Sequence, residues 1–475
     1  MTKPTFHITT FGCQMNAADS DWLFRSLTVK GFSPSPVPDE ADIHILNTCS
    51  VRDKPEQKVY SEIGRIRSVT RNNPNILVCV GGCVAQQAGE TLFRRFSQVR
   101  LVFGPDGIAS APEAILRLLE EKRLRVSLVE FTDSFAERGL ALAPKGPNGA
   151  QTVPPAVFVS IMQGCNNFCA YCIVPYVRGR QKSREPEAVL NECASLIERG
   201  AAEITLLGQN VNAYGQDGEK NPAKRGAAFR ELLYRVGSLP GLKRLRFVTA
   251  HPRDMGVDSI NAFADIPCLA DRLHLPLQSG SDAILKRMGR GYDTAKFLSL
   301  VQELRKTRPQ IHFSTDIIVG FPGETEEQFE ETLHFMETVG FVSSYSFLYS
   351  ARPGTRAALL PDTLGKKNKL ERLSRLQAWQ DAFSQKILAS LQGDVVQVLL
   401  ESSAAPKNAA PDGIYRQGRE GRGHGVIVRM NPSPEPLRPN LAENWVGKLV
   451  PVRITGAGMY GLTGDLQISS CHNLG

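Results

Sequence analysis

The chain runs to 475 residues, with 42% hydrophobic and 22% charged side chains and a formal net charge of +8, which exceeds what one hydrophobic core organises and predicts two to four domains. No apolar run approaches membrane-spanning length and the start "MTKPTFHITTFGC" carries no apolar signal core, so a membrane protein is excluded and a cytoplasmic location expected. In a reducing compartment ten cysteines point to metal or redox chemistry rather than disulfides, and the modest positive charge permits an RNA partner without requiring one.

The first third repeats one arrangement three times: an apolar extended run, a cysteine at its end, then a helical pattern. The runs "FHITTFGC", "DIHILNTC" and "NILVCVGGC" end at Cys13, Cys49 and Cys83, 36 and 34 residues apart, about the length of a βαβ unit. Strands of a parallel sheet end along one edge, so the three thiols are expected to converge there. Cys79 inside an apolar run and Cys193 on a helix face with Val189, Leu196 and Ile197 read as core, and Cys268 and Cys471 carry no motif.

"RGLALAPKGPNGAQTVPPA" at 138–156 reads as a linker, being rich in Gly, Pro and Ala and without periodicity. From about residue 151, six strand candidates alternate with helical patterns: "AVFVSIMQGC", "EITLLGQN", "RLRFVTAHP", "DRLHLPLQSGS", "IHFSTDIIVGFPGE" and "VSSYSFLYSARPG". Right-handed crossovers between them give a partial (β/α)6 barrel with its reactive residues at the carboxyl ends of the strands. His251 and His274 stand at or near such ends and suit a pocket or a satisfied core site equally. The basic segment Leu285–Tyr292 either contacts a ligand or ends a helix.

A helix is predicted from Lys367 to about Leu391. Beyond it "DVVQVLLES", "GHGVIVRMN" and "KLVPVRITGAGMYGLTGDL" suggest a small antiparallel barrel. Arg416, Arg419 and Arg422, beside Tyr415 in a stretch read as a flexible loop, are expected to grip single-stranded nucleic acid.

The segment "GCNNFCAYC", Gly164 to Cys172, sets Cys165, Cys169 and Cys172 in a C-x3-C-x2-C spacing with no fourth ligand nearby. A structural zinc site closes with four ligands, whereas a cubane iron–sulfur cluster held by three thiolates keeps one iron open to a substrate or cofactor. Immediately downstream, "YVRGRQKSR" places Arg178, Arg180, Lys182 and Arg184 where cations would hold RNA phosphates at the site's mouth. Their near alternation also fits one solvated face of a strand.

The cysteine loop after the first barrel strand, with Tyr171 before its last cysteine, resembles the radical S-adenosylmethionine signature. Together with "TFGCQMNAADS", "NTCSVRDK", "GGCVAQQ" and "CIVPYVRGR", it is similar over nearly the whole chain to the methylthiotransferase branch of that superfamily. The resemblance implies a methylthiotransferase domain at 4–120, a radical core at 151–382 and a TRAM barrel at 385–469. It implies two 4Fe–4S clusters, one on Cys165, Cys169 and Cys172 and one on Cys13, Cys49 and Cys83. S-adenosylmethionine would be both radical source and methyl donor. By the same resemblance, Gly208, Gln209 and Asn210 in "LLGQN" and Gly320, Gly323 and Glu324 in "DIIVGFPGE" would contact the cofactor, although glycines there also suit tight βα turns. The implied reaction puts a methylthio group on C2 of N6-isopentenyladenosine at tRNA position 37, in the anticodon arm. Threonylcarbamoyladenosine of tRNA or a ribosomal-protein aspartate are the alternative targets. No motif names the electron donor or the sulfur donor.

Overall fold

In the computed structural model the described residues are 4–50, 53–73, 75–139, 153–217, 226–403, 413–430, 445–459 and 461–467. Strands β1 (Thr5–Thr10), β2 (Ser33–Pro34), β3 (Ile43–Thr48), β4 (Leu77–Gly82), β5 (Val99–Phe103) and β6 (Val126–Leu128) form one sheet in the order β2-β1-β3-β4-β5-β6, with every pairing parallel. Helices α1 (Gln14–Val29), α2 (Asp53–Asn72), α3 (Cys83–Ala88), α4 (Thr91–Arg95) and α5 (Ala111–Glu120) make the connections. Every residue of β3 and β4 is buried, as expected of a parallel sheet covered on both faces. Ile43, Ile45, Leu77 and Cys79 pack with Trp22, Leu23, Leu27, Ile115 and Leu118 of α1 and α5. The alternate residues Leu46, Val78 and Val80 pack with Val59, Ile63 and Ile66 of α2 on the other side, following the two-residue period of a strand. Adjacency of β1, β3 and β4 brings the three strand-end cysteines to neighbouring positions.

The linker expected at 138–156 lies for the most part outside the described residues, as does Cys471. Beyond it come β7 (Ala156–Ser160), β8 (Met162–Gln163), β9 (Lys182–Ser183), β10 (Glu203–Leu207), β11 (Arg244–Phe247), β12 (Arg272–His274), β13 (His312–Val319) and β14 (Ser343–Leu348). They alternate with α6 (Val174–Val177), α7 (Pro186–Glu198), α8 (Ala227–Gly237), α9 (Val257–Asp265), α10 (Asp282–Met288), α11 (Thr294–Thr307), α12 (Glu326–Val339) and α13 (Lys366–Ser390). The six expected strands lie in chain order as two parallel sheets, β7-β10-β11 and β12-β13-β14. A bridge between Leu245 and Leu269 links them. The result is an open half-barrel. Helix starts are fixed locally: the Asp293 side chain accepts from Lys296 N at 2.8 Å, and Thr325 and Gln328 form a reciprocal capping box, each such cap contributing about 1 kcal/mol.

After α13, β15 (Val395–Ser403), β16 (Tyr415–Glu420), β17 (Gly425–Arg429), β18 (Leu449–Ala457) and β19 (Leu462–Leu466) close in the order β15-β16-β17-β19-β18. The barrel is not wholly antiparallel. β18 and β19 are a hairpin, which leaves β19 running in the same direction as β17, and that pair is parallel.

This barrel seats on the amino-terminal ends of the half-barrel strands. Glu203 at the start of β10 holds Arg244 and Arg246 of β11, each at 3.1 Å. The two arginines then donate to the carbonyls of Arg419, at 3.0 Å, and of Glu420 and Gly421, at 3.1 and 3.2 Å. Arg272 reaches the carbonyl of Arg422 at 3.4 Å. Residues 415–420, expected to be flexible, are therefore a strand, and the turn that follows is a docked plug. Arg419 pairs with Glu401 at 2.8 Å and Arg422 with Glu420 at 3.1 Å, so neither is a free cation for RNA.

Candidate functional site

The amino-terminal triad is built from three interlocked turns. Cys13 is the N-cap of α1, Cys49 follows β3 directly and Cys83 opens α3. Asn16 Nδ2 donates to Asn47 Oδ1 at 2.9 Å and to the Thr48 carbonyl at 3.0 Å, and Asn47 Nδ2 returns a bond to the Asn16 carbonyl at 2.9 Å. These two buried side chains tie the Cys13 turn to the Cys49 turn. Gly12 sits at φ +136°, and a Cβ there would come within 2.4 Å of Cys49 Cβ. Any side chain at that position forces the two cysteines apart.

Cys13 is exposed, whereas Cys49 and Cys83 are buried. The hydrogen bond with Cys49 pulls the Cys13 thiol down to about 5, helped by the charge of Arg178. Burial raises the Cys83 thiol, and the charge of Arg178 opposes it.

The second triad lies in the loop between β8 and β9, which pair antiparallel through Met162–Ser183 and Gln163–Lys182 and pinch the loop shut. Gly164 N donates to Gln209 Oε1 at 2.6 Å and Cys165 N to the Gly179 carbonyl at 3.2 Å. Gly164 adopts φ +79°, where a Cβ would stand 2.0 Å from the Arg180 carbonyl oxygen. Burial pushes the Cys165 thiol up to about 11 and the Cys172 thiol to about 12, and neighbouring cysteines add to both shifts. Arg290, 4% exposed, donates to Cys169 Sγ at 3.4 Å and to Tyr171 Oη at 3.3 Å. In the basic segment Leu285–Tyr292 the helix end is present, α10 ending at left-handed Gly289, and Arg290 turns back onto a cysteine sulfur.

The two triads adjoin. Cys83 packs against Ile173 and Val177, and Ile173 directly follows Cys172. Among the described residues, no three His, Cys, Asp or Glu side chains are grouped as on a single metal ion. Cubane corners lie wider apart than ligands of one ion, and three thiols with no fourth ligand match a cluster with one open iron. Without iron, burial keeps the thiols of Cys83, Cys165 and Cys172 protonated, so binding releases protons.

The rim around the second triad also fits a polar cofactor. Asn210 donates to Asp254 Oδ2 at 2.7 Å, and Asn167 to the same oxygen at 3.2 Å. Asn210 Oδ1 and His251 Nε2 are buried without a partner among the described residues, and such atoms demand one. Among the described residues, the non-glycine positions with positive φ are Phe168 (35°), Thr249 (67°) and Gln278 (77°). All three sit in the loops at this rim, where strain of about 1–3 kcal/mol each is retained at working sites.

The other expected cofactor contacts fare differently. A Cβ on Gly208 would meet Met162 Cγ at 2.4 Å, and Gln209 supports the cysteine loop. Gly320 N donates to Glu324 Oε2 at 2.8 Å and Arg372 Nη1 to the same oxygen at 3.1 Å. Glu324 therefore clasps α13 and does not offer a free carboxylate, while Gly320 and Gly323 supply the left-handed turn. His251 belongs to the rim. His274 is held within the sheet by Ser314 at 3.1 Å and Asp316 at 3.2 Å.

Three of the four cations after the loop are not available to phosphate. Arg178 is 2% exposed and pairs with Asp19 at 3.4 Å. Lys182 is 5% exposed and pairs with Asp106 at 2.5 Å. Arg184 pairs with Glu192 at 2.6 Å and Glu137 at 3.2 Å. Arg180 alone of the four is exposed, its guanidinium 4.2 Å over the Phe168 ring.

Residues 159–336 match the model described as the Radical SAM superfamily, and residues 5–104 match one described as Uncharacterized protein family UPF0004. The tRNA-2-methylthio-N(6)-dimethylallyladenosine synthase of Oleidesulfovibrio alaskensis is 53% identical, over 99% of this chain and 100% of its own. That of Lawsonia intracellularis is 48% identical, over 98% and 99%. Among solved structures, the radical S-adenosylmethionine methyltransferase TsrM from Kitasatospora setae superposes with a TM-score of 0.54 at 17% identity, over 75% of each chain. The cobalamin-dependent radical enzyme OxsB superposes with a TM-score of 0.51 at 14% identity, over 81% of this chain and 56% of its own. These two likenesses concern the fold.

Proposed function

The chain belongs to the tRNA-2-methylthio-N6-dimethylallyladenosine synthase family of radical S-adenosylmethionine methylthiotransferases, and from that membership we propose how its residues divide the work. Cys165, Cys169 and Cys172 hold the cluster that binds S-adenosylmethionine, and Cys13, Cys49 and Cys83 hold the second. When bound, these groups supply the single-electron chemistry, the sulfur and the methyl group that replace hydrogen at C2 of the modified adenosine. The substrate is tRNA, and the target is position 37, presented by the anticodon arm.

The chain's own part is placement and exclusion. Asn210 and His251 turn their unpartnered atoms to the cofactor, while Asp254 fixes Asn210 and Asn167 across the rim. Gly164 and Gln209 hold the cysteine loop in shape. Arg180 and Phe168 offer an exposed cation and ring to the RNA at the mouth. No helix among the described residues is long and apolar enough to cross a membrane, and the enzyme works in the cytoplasm, where its tRNA is.

The observation that carries this reading is the meeting of two three-thiol sites at Cys83 and Ile173. The test is to incubate the reconstituted protein with S-adenosylmethionine, reductant, sulfide and tRNA bearing isopentenyladenosine, then weigh the digested nucleosides. A methylthio group on that nucleoside is expected. Cys165→Ala should abolish both product and 5′-deoxyadenosine, and Cys13→Ala should abolish product while 5′-deoxyadenosine still accumulates. Loss of 5′-deoxyadenosine in Cys13→Ala but not in Cys165→Ala would reverse the two assignments.

A further inference from the structure

Arg178 follows the radical-core cysteines on the same loop, yet its side chain leaves that domain. It crosses to α1 and pairs with Asp19 Oδ2 at 3.4 Å, while Val177, its neighbour in the chain, packs against Cys83, and the Arg178 charge holds down the thiols of Cys13 and Cys83. Asp19, 2% exposed, also pairs with Arg138, so the buried group of two guanidiniums and one carboxylate carries a net positive charge beside the amino-terminal thiols. Arg178 Nη1 is buried without a partner among the described residues, leaving an N–H donor in a low-dielectric setting where its field is strongest. A guanidinium stays protonated under all working conditions.

We infer that Arg178 is a positioning residue that sets the reduction potential of the amino-terminal cluster, supplied across the domain boundary by the loop that carries the other triad. This rests on the assignment of Cys13, Cys49 and Cys83 as cluster ligands. An electron added to a thiolate-bound cluster raises its negative charge, and hydrogen bonds to its sulfurs and nearby cations favour that reduced state. Arg178 contributes the buried cation, and its unpartnered Nη1 is a donor. Asp19 opposes the cation while orienting it, so its effect on the potential has the opposite sign. Arg290 on Cys169 is the counterpart within the radical core, but it comes from the same domain as its cysteine.

The experiment uses the full chain with Cys165, Cys169 and Cys172 changed to Ala, so that one cluster remains, titrated with dithionite and followed by electron paramagnetic resonance. Arg178→Met should shift the midpoint to more negative values, Arg178→Lys should shift it less, and Asp19→Asn should shift it to more positive values. Iron and acid-labile sulfide per chain are measured alongside. Opposite shifts at undiminished iron support the inference, because loosened packing has no reason to change sign between the two variants. Unchanged midpoints, or shifts of one sign, overturn it. If Arg178→Met fails to hold iron, the Arg178→Lys and Asp19→Asn pair decides by the same signs. Absence of a cluster in the parent triple variant would instead overturn the ligand assignment itself.

Discussion

His312 Nδ1 and His424 Nε2 lie 3.1 Å apart, joining the start of β13 to the turn between β16 and β17. Burial pushes both rings down, His312 to about 3 and His424 to about 4, so both are neutral near pH 7 and one donates to the other. In the unfolded chain they protonate near the ordinary histidine value of about 6.5. The unfolded state therefore binds more protons between that value and the folded ones. Stability from the pair is complete above about pH 6.5 and is lost as the pH falls toward 4. Thermal unfolding of the protein at about pH 7.5 and about pH 5 should show this loss, and the double variant His312→Gln/His424→Gln should shrink it. An undiminished difference in the variant would remove the pair as the cause.

Gly164→Ala puts a Cβ against the Arg180 carbonyl in a backbone conformation that disfavours any side chain. The loop must open, and the cluster proposed on Cys165, Cys169 and Cys172 should be lost while the amino-terminal one stays. Iron per chain is expected to fall from about eight to about four, with 5′-deoxyadenosine formation reduced to background. Retention of all the iron would mean that the loop tolerates the shift.

Arg180 and Lys182 separate RNA contact from packing. Arg180→Ala should weaken binding to tRNA across sequences and lower the slope of log affinity against log salt by about 1. Lys182→Ala removes the partner of buried Asp106 and should cost about 3 kcal/mol of stability, with the salt slope unchanged. Fluorescence titration at several salt concentrations and urea unfolding measure the two. Equal salt slopes for Arg180→Ala and the parent would take Arg180 out of the RNA interface.

Glu203→Gln leaves Arg244 and Arg246 buried side by side without their shared carboxylate, and the same two arginines bind the docked turn after β16. A loss of about 3 kcal/mol is expected, read as earlier proteolytic release of the carboxy-terminal barrel in urea. Release at the parent's urea concentration would show that the carbonyl contacts alone hold the barrel.

The grouping of the cysteines was legible because their spacing survives in one dimension: three strand ends in a row of parallel βα units, and three thiols in one short loop. Arg178, Lys182 and Arg184 look like a basic stretch for a physical reason. The anionic partners of Arg178 and Lys182, Asp19 and Asp106, lie 159 and 76 residues away, and charge pairing at that distance leaves no local pattern. The parallel β17–β19 pair was hidden likewise, since a strand's own residues do not record the direction of its neighbour. Glu324 read as a cofactor contact from its motif, but its partner Arg372 lies on α13, 48 residues on.

The crossing of Arg178 onto Asp19 bears on how such a protein can be recombined. A chimera that exchanged only residues 4–139 for those of a relative would transplant Cys13, Cys49, Cys83 and Asp19, yet inherit its guanidinium from the host. Grafting succeeds only when donor and host agree at the cross-boundary pairs, Lys182 with Asp106 as well as Arg178 with Asp19, so the amino-terminal domain is a module in topology and not in chemistry.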